Sequence, residues 1–324
     1  MGIDIGGTFT DGVLLDEERG VVHIEKVPTT THDLAEAFLQ VFDAFSDRFG
    51  DPSQLSAVMH ASTVATNALL ERRGTDVGLV VTAGFRDLLE IGRQVRHELY
   101  NVFTSKPPAI VPRRHVREVR ERLDRLGDVR TELSEADVLE AAEHFRRAGI
   151  GSVAICFLHS YLDSSHEDRA AELLREALPG AELSISSAIA PEIKEYWRAS
   201  TTCINAYVGP LVRRYLARVV DQLAERSYSG PVGIMHSGGG VEGIEVISER
   251  PFQMIESGPA AGVAAAVHLA RASNHRNAIS FDMGGTTAKA GIIVDGVARV
   301  LSEFEVAASG LSGSSVAKAS GYPV

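Results

Sequence analysis

Two short segments of this chain share the order Asp-x-Gly-Gly-Thr: Asp4-Ile5-Gly6-Gly7-Thr8-Phe9-Thr10-Asp11 near the beginning and Asp282-Met283-Gly284-Gly285-Thr286-Thr287-Ala288-Lys289 near the end. A Gly-Gly pair between extended segments is a hairpin signal, because glycine supplies the positive φ angles of a two-residue turn. Without side chains, such a turn also lets an anion come close. Its amides and the hydroxyls of Thr8, Thr10, Thr286 and Thr287 can then donate to phosphate oxygens. Asp4 and Asp282, at the ends of the preceding strands, are suited to hold an accompanying Mg²⁺ through its waters, since that ion keeps several. One copy alone is an ordinary hairpin. Two copies with Asp, Gly-Gly and Thr in one order read as the two sides of a phosphate clamp.

The elements that must carry these turns follow from the surrounding pattern. Gly12 to Leu15 and Ala290 to Val294 continue as apolar strands, and Asp16 to Gly20 and Asp295-Gly296 make the next turns. Val21 to Val27 is then a third strand. Asp33 and Glu36 form a capping-box-like helix start, with Leu34, Phe38, Val41, Phe42, Phe45 and Phe49 on one face before Gly50. Strands at Ala57 to His60 and Val77 to Thr82, with a helix between them at Thr63 to Arg73, complete an α/β alternation. The stretch from 85 to 130 is less periodic and reads as an insertion or lid. Helices at Glu135 to Ala148 and Glu167 to Leu178 alternate with strands at Val153 to Leu158 and Glu182 to Ser186. Glu192 to Glu225 is mostly helical, with an interruption expected near Gly209-Pro210. Val232 to Met235 is a strand, and Pro259 to Ala272 a helix with proline in its first turn.

Composition narrows the setting. A length of 324 residues suggests two domains, and a net charge of −11 argues against nucleic acid or an anionic membrane as the main partner. No run approaches the roughly 18 apolar residues that span a bilayer, and no basic-apolar leader precedes Asp4, so the cytoplasm is the expected compartment. Cys156 and Cys203 read as buried thiols. His60, His97, His159, His166 and His236 lack the spacing of a zinc site and read as structural. The arginines between Arg113 and Arg125 interleave with Glu118, Glu121 and Asp124, as on a solvated face.

The pair of glycine turns resembles the two phosphate motifs of the sugar kinase, Hsp70 and actin superfamily, in which two related domains close over ATP. The intervening segments look more closely like the hydantoinase A and 5-oxoprolinase family, which includes ATP-binding subunits of acetone and acetophenone carboxylases. Thr63 to Arg72, Gly84 to Arg93, Ala190 to Glu195, Ser200 to Tyr207, Ile255 to Gly262 and Ser280 to Thr287 carry that likeness. It implies an α/β fold: an actin-like ATPase (ribonuclease H-like) domain with a mixed sheet flanked by helices, plus the start of a second such domain. Residues 1–255 would form the first domain, with the insertion at about 85–130. Residues 256–324 would be the linker helix and the opening meander of an incomplete second domain. Family members are roughly twice as long, so the resemblance implies an N-terminal fragment.

The resemblance also implies ATP with Mg²⁺, phosphorylation of a carbonyl oxygen, and hydrolysis of a cyclic amide such as a hydantoin or 5-oxoproline ring. A hydantoinase B-like partner subunit and an oligomer go with it. The alternatives are the ATP-binding subunit of a ketone carboxylase, or a truncated binding module without catalysis. Gly6, Gly7, Thr8, Thr10, Gly284, Gly285, Thr286 and Thr287 would cradle phosphates. Asp4, Asp11 and Asp282 would serve Mg²⁺ or the nucleophile, with Asp4 and Asp282 as the metal candidates. Lys289, standing where the first copy has Asp11, adds a point charge near the terminal phosphate or else faces solvent. Thr63 and Asn67, at a helix start, and Arg93 are substrate candidates; capping and a surface ion pair are their structural alternatives.

Overall fold

The computed structural model describes residues 1–30, 33–94, 100–103, 108–283, 288–299, 305–306 and 322–323. The chain opens with three strands, β1 (Gly2–Ile5), β2 (Phe9–Asp16) and β3 (Val21–Pro28), followed by α1 (Leu34–Phe49). Next come β4 (Val58–Ser62), α2 (Val64–Leu70), β5 (Val77–Thr82), α3 (Leu88–Ile91), β6 (Val116–Val119) and the short pair β7 (Arg122–Leu123) and β8 (Val129–Thr131). Alternation continues through α4 (Glu135–Arg147), β9 (Ser152–Cys156), α5 (Ser165–Ala177), β10 (Glu182–Ile185), α6 (Ser186–Ile189) and α7 (Glu195–Glu225). β11 (Val232–Met235), β12 (Val241–Gly243), α8 (Ile244–Glu249), α9 (Ser257–Ala272), β13 (Ala278–Met283), β14 (Ala288–Val294) and β15 (Val297–Ala298) follow. Packing divides the chain into two units, Met1–Ala68 with Leu211–Ser302, and Leu69–Pro210 with Glu303–Val324.

The first unit holds a six-stranded mixed sheet in the order β12-β11-β4-β1-β2-β3, in which β4 runs parallel to both β1 and β11 and the other pairs are antiparallel. α1 starts where expected: the Asp33 carboxylate accepts from Ala35 N–H at 3.2 Å. Its apolar stripe, Phe38, Val41, Phe42 and Phe45, is buried. The helix rests directly on β2, because a Cβ at Gly12 would fall 2.1 Å from Val41 Cγ1 and 2.8 Å from Phe45 Cε2. The same unit contains a three-stranded antiparallel sheet, β13-β14-β15, closed by the Asp295-Gly296 turn with φ of 53° and 74°.

In the second unit β10-β9-β5-β6 form a parallel sheet. β5 and β9 are buried along their whole length, as strands covered on both faces must be. Val80, Val153 and Ile155 pack with α4 and α5 through Phe145, Ala170 and Leu174. Leu79, Val81, Ala154 and Cys156 pack on the other side with Ala199, Cys203 and Ala206 of α7. Both cysteines are free, buried thiols.

Two elements differ from expectation. The 85–130 stretch contributes an edge strand: Val116 and Val119 of β6 are buried, and β6 pairs parallel with β5. Only those two apolar positions mark it among charged residues, too few for a period to stand out. The arginines around it are paired outward, Arg117 with Glu140 at 3.0 Å and Arg120 with Asp137 at 2.7 Å. Glu121 instead turns inward to His166 Nδ1 at 2.8 Å. The second difference is α7, which runs through Pro210 without a break. A proline inside a helix strips the hydrogen bond from the carbonyl four residues earlier. That carbonyl, on Ala206, accepts from the Ser152 hydroxyl at 2.8 Å, so the group is satisfied and the helix continues.

Candidate functional site

The first glycine turn joins β1 to β2 in the register Ile5↔Thr10 and is closed by Gly6 N–H donating to Phe9 O at 3.0 Å. Neither Gly6 nor Gly7 has a left-handed φ, so the conformational reason expected for the glycines does not operate here. Space is the reason: a Cβ on Gly6 would lie 2.9 Å from Phe9 O, whereas Gly7 faces open space. Thr29 braces the turn, its N–H donating to Thr8 O at 2.9 Å and its hydroxyl to Gly6 O at 3.0 Å. Thr10 is buried, with its hydroxyl 3.0 Å from that of Thr29. Thr8 is exposed beside Gly7. The corresponding Gly284, Gly285, Thr286 and Thr287 lie outside the described residues.

The strands flanking the second turn repeat the first hairpin. Asp4 pairs with Asp11 across β1 and β2, and Asp282 pairs with Lys289 across β13 and β14. The whole register of the second hairpin equals that of the first, shifted by the separation of the two aspartates. Lys289 thus occupies the place of Asp11 with opposite charge. Each is neutralised by a further residue, Asp11 by Lys26 at 2.6 Å and Lys289 by Glu256.

Asp4 collects the electrostatic strain. Its pKa is raised to about 6, first by loss of hydration and then by the negative charges of Asp11 and Asp282. The side chain keeps open surface although protein surrounds most of it, as at the floor of a concavity. A Cβ on Gly258, in the first turn of α9, would sit 3.3 Å from Asp4 Oδ1. The amino end of α9 therefore abuts the carboxylate.

α9 is fixed there by contacts that the sequence does not announce. The Ser257 hydroxyl donates to Ser62 O at 3.2 Å, and Glu256 N–H donates to Thr66 Oγ1 at 2.9 Å. Thr63 and Asn67 support the other side: Thr63 donates to Ile5 O through N–H at 3.0 Å and hydroxyl at 3.2 Å, and Asn67 Nδ2 donates to Thr63 Oγ1 at 3.1 Å. Behind them His60 spans Ile3 O at 3.0 Å and the Tyr215 hydroxyl at 2.7 Å; burial lowers its pKa to about 4, so it is neutral.

Asp4, Asp11, Asp282 and Lys289 thus gather with the Gly6-Gly7 turn and the Thr63–Asn67 corner in the first unit. Arg93 belongs to the second unit, where its guanidinium lies 5.3 Å from the Trp197 ring centre. Among the described residues no group of three or more His, Cys, Asp or Glu is arranged to hold a metal ion directly. Lys26 is the charged member that sequence reading missed, and the β2–β3 register, with Asp11 opposite Lys26, was the signal available for it. Glu256 stands before Gly258-Pro259, where the sequence points to a hinge; its contact to Lys289 is tertiary and had no signal.

Residues 1–178 match the family described as hydantoinase/oxoprolinase N-terminal region, and residues 198–322 match hydantoinase/oxoprolinase. The chain is 40% identical to an uncharacterized protein of Methanocaldococcus jannaschii over 100% of this chain and 48% of that one. It is 36% identical to the caprolactamase subunit alpha of Pseudomonas jessenii over 89% of this chain and 42% of the relative. The crystal structure of that ATP-dependent caprolactamase superposes with a TM-score of 0.82, over 90% of this chain and 43% of the other. A nucleotide-free acetone carboxylase structure superposes with a TM-score of 0.84 at 25% identity, over 100% of this chain and 46% of the other. The chain therefore spans about half the length of the relatives it matches. With an actin-like ATPase fold of helix-flanked sheets and both family regions present, the chain belongs to the hydantoinase/oxoprolinase family.

Proposed function

We propose that this chain is the ATP-binding part of an enzyme that hydrolyses a cyclic amide, a hydantoin- or 5-oxoproline-like ring. The observation that carries the reading is the acidic cluster Asp4, Asp11 and Asp282, spread over two hairpins of identical register beside an open glycine turn. The negative charge crowded around Asp4 is relieved by a divalent cation. Mg²⁺ suits a site without a ready-made cage, since it retains waters and shares phosphate oxygens. Asp4 and Asp282 would hold it through those waters.

Amides of Gly7 and Thr8, with the Thr8 hydroxyl, donate to phosphate oxygens; Gly6, whose N–H closes the turn on Phe9 O, and Thr10 keep the turn in shape from below. Gly284, Gly285, Thr286 and Thr287 would face them as the second half of the cradle. Bound ATP supplies a phosphoryl group, which on an amide oxygen removes the resonance that makes the ring inert. Asp11, held by Lys26, orients the attacking oxygen, and Lys289 neutralises charge that develops on the transferred group. Thr63 and Asn67 shape the edge nearest the substrate. The domain reading goes with this, residues 1–255 as the first actin-like domain and 256–324 as the opening of a second.

Relatives named as subunits support a separate partner, of the hydantoinase B type, in an oligomer. No helix among the described residues is long and apolar enough to cross a membrane, and a cytoplasmic enzyme using cellular ATP is the setting that fits. A second reading, ATP-dependent ketone carboxylation, rests on the likeness to acetone carboxylase. Measuring ADP release by the chain with its partner, offered either hydantoins, 5-oxoproline and caprolactam or acetone with bicarbonate, separates them. Stimulation by a cyclic amide is the expected result; stimulation by acetone alone overturns the hydrolase reading.

A further inference from the structure

Glu256 is built unlike an ordinary helix-capping residue. It has a left-handed backbone, φ 62° and ψ 22°, which a side chain with a Cβ adopts at a cost. It stands at the N-cap of α9, yet its carboxylate makes no capping hydrogen bond to that helix. The carboxylate is turned instead to the Lys289 ammonium, with the two side chains 17% and 30% exposed. The backbone is held in this conformation by neighbours on either side, Glu256 N–H on Thr66 Oγ1 at 2.9 Å and the Ser257 hydroxyl on Ser62 O. Loss of hydration lowers the pKa of Lys289, and the close Glu256 carboxylate favours its charged form.

The doubled hairpin makes this pair more than a surface contact. Lys289 lies opposite Asp282, and Asp282 is one of the charges felt by Asp4. A polyphosphate arriving at that cluster therefore competes with Glu256 for the same ammonium. We propose that Glu256 is a latch: it holds the Lys289 ammonium while no nucleotide is bound, and gives it up when phosphate oxygens replace the carboxylate. Glu256 is a positioning residue, acting through Lys289 and not on the substrate. This rests on the phosphate-site reading proposed above and adds to it a competing group that tunes affinity.

The test is calorimetric titration of MgATP into the full chain and three variants, with thermal melts to establish that each is folded. Glu256→Gln preserves shape and an acceptor oxygen while removing the competing charge; it is expected to bind MgATP about tenfold more tightly. Lys289→Met is expected to bind about tenfold more weakly. In the Lys289→Met background, adding Glu256→Gln is expected to change nothing, because the latch has lost its bolt. Equal tightening by Glu256→Gln in both backgrounds reveals a simple through-space repulsion and overturns the latch. So does unchanged or weaker binding by Glu256→Gln alone. Failure of the wild-type chain to bind MgATP overturns the nucleotide-site reading and the latch together, an outcome distinct from the others.

Discussion

A single carboxylate, Asp4, shows how much of the site is electrostatic. Its pKa of about 6 lies above the ordinary aspartate value, so its ionised form is disfavoured in the folded chain. The folded state then holds more protons than the unfolded state between pH 3.8 and about 6, and this group stabilises the fold as pH falls through 6. Asp4→Asn is expected to raise the melting temperature at pH 7.5. The gain should be under about 1 kcal/mol, because an open side chain is screened by water. MgATP binding by the wild type is expected to rise with pH through about 6, and calorimetry across pH 5 to 8 checks it. Asp4 and Asp282 were legible in the sequence because chemistry fixes their type and the repeat marks their place. The coupling of Lys289 to Glu256 was not, since it depends on how α9 returns to the β13–β14 hairpin.

At the scale of elements, the repeat was readable to the level of strand pairing, because a fixed seven-residue spacing from Asp4 to Asp11 and Asp282 to Lys289 sets the register. The reason for the first glycines was not readable, because close approach to Phe9 O and a left-handed φ leave the same residue in the sequence. The glycine of β2 on which α1 rests gives a direct check. Gly12→Ala should cost about 1–3 kcal/mol in urea unfolding, since its Cβ overlaps Val41 and Phe45. Helix α7 gives another. Ser152→Ala removes the donor to the Ala206 carbonyl freed by Pro210 and should cost about 1–3 kcal/mol. Restoring a helical donor with Pro210→Ala in that background should recover part of it. The interruption expected at Gly209-Pro210 failed because the carbonyl's partner comes from β9, more than fifty residues away.

Across the whole molecule, the same side chains that support the site set its response to acid. His60 joins β4 to β1 through Ile3 O and to α7 through Tyr215. Its pKa of about 4 lies below that of an unfolded histidine, so the unfolded chain takes up the proton first. Stability should fall as pH drops from about 6.5 toward 4, by up to roughly 3 kcal/mol from this group. Asp4 opposes the trend, so the Asp4→Asn variant should show a steeper acid limb in urea unfolding than the wild type. The α/β alternation could be read from periodicity and the mixed sheet only from the family resemblance, whereas the division into two units could be read from neither. It falls at Ala68, inside a stretch that reads as one helix, and at Pro210, inside α7.

The central claim is that the doubled hairpin binds the phosphates of a nucleotide with Mg²⁺. Calorimetric titration of MgATP into the wild-type chain and into the folded Asp4→Asn variant tests it most directly. Saturable, Mg²⁺-dependent binding by the wild type and at least a tenfold loss in the variant are expected; equal binding by both, or binding indifferent to Mg²⁺, would contradict a phosphate site at the doubled hairpin.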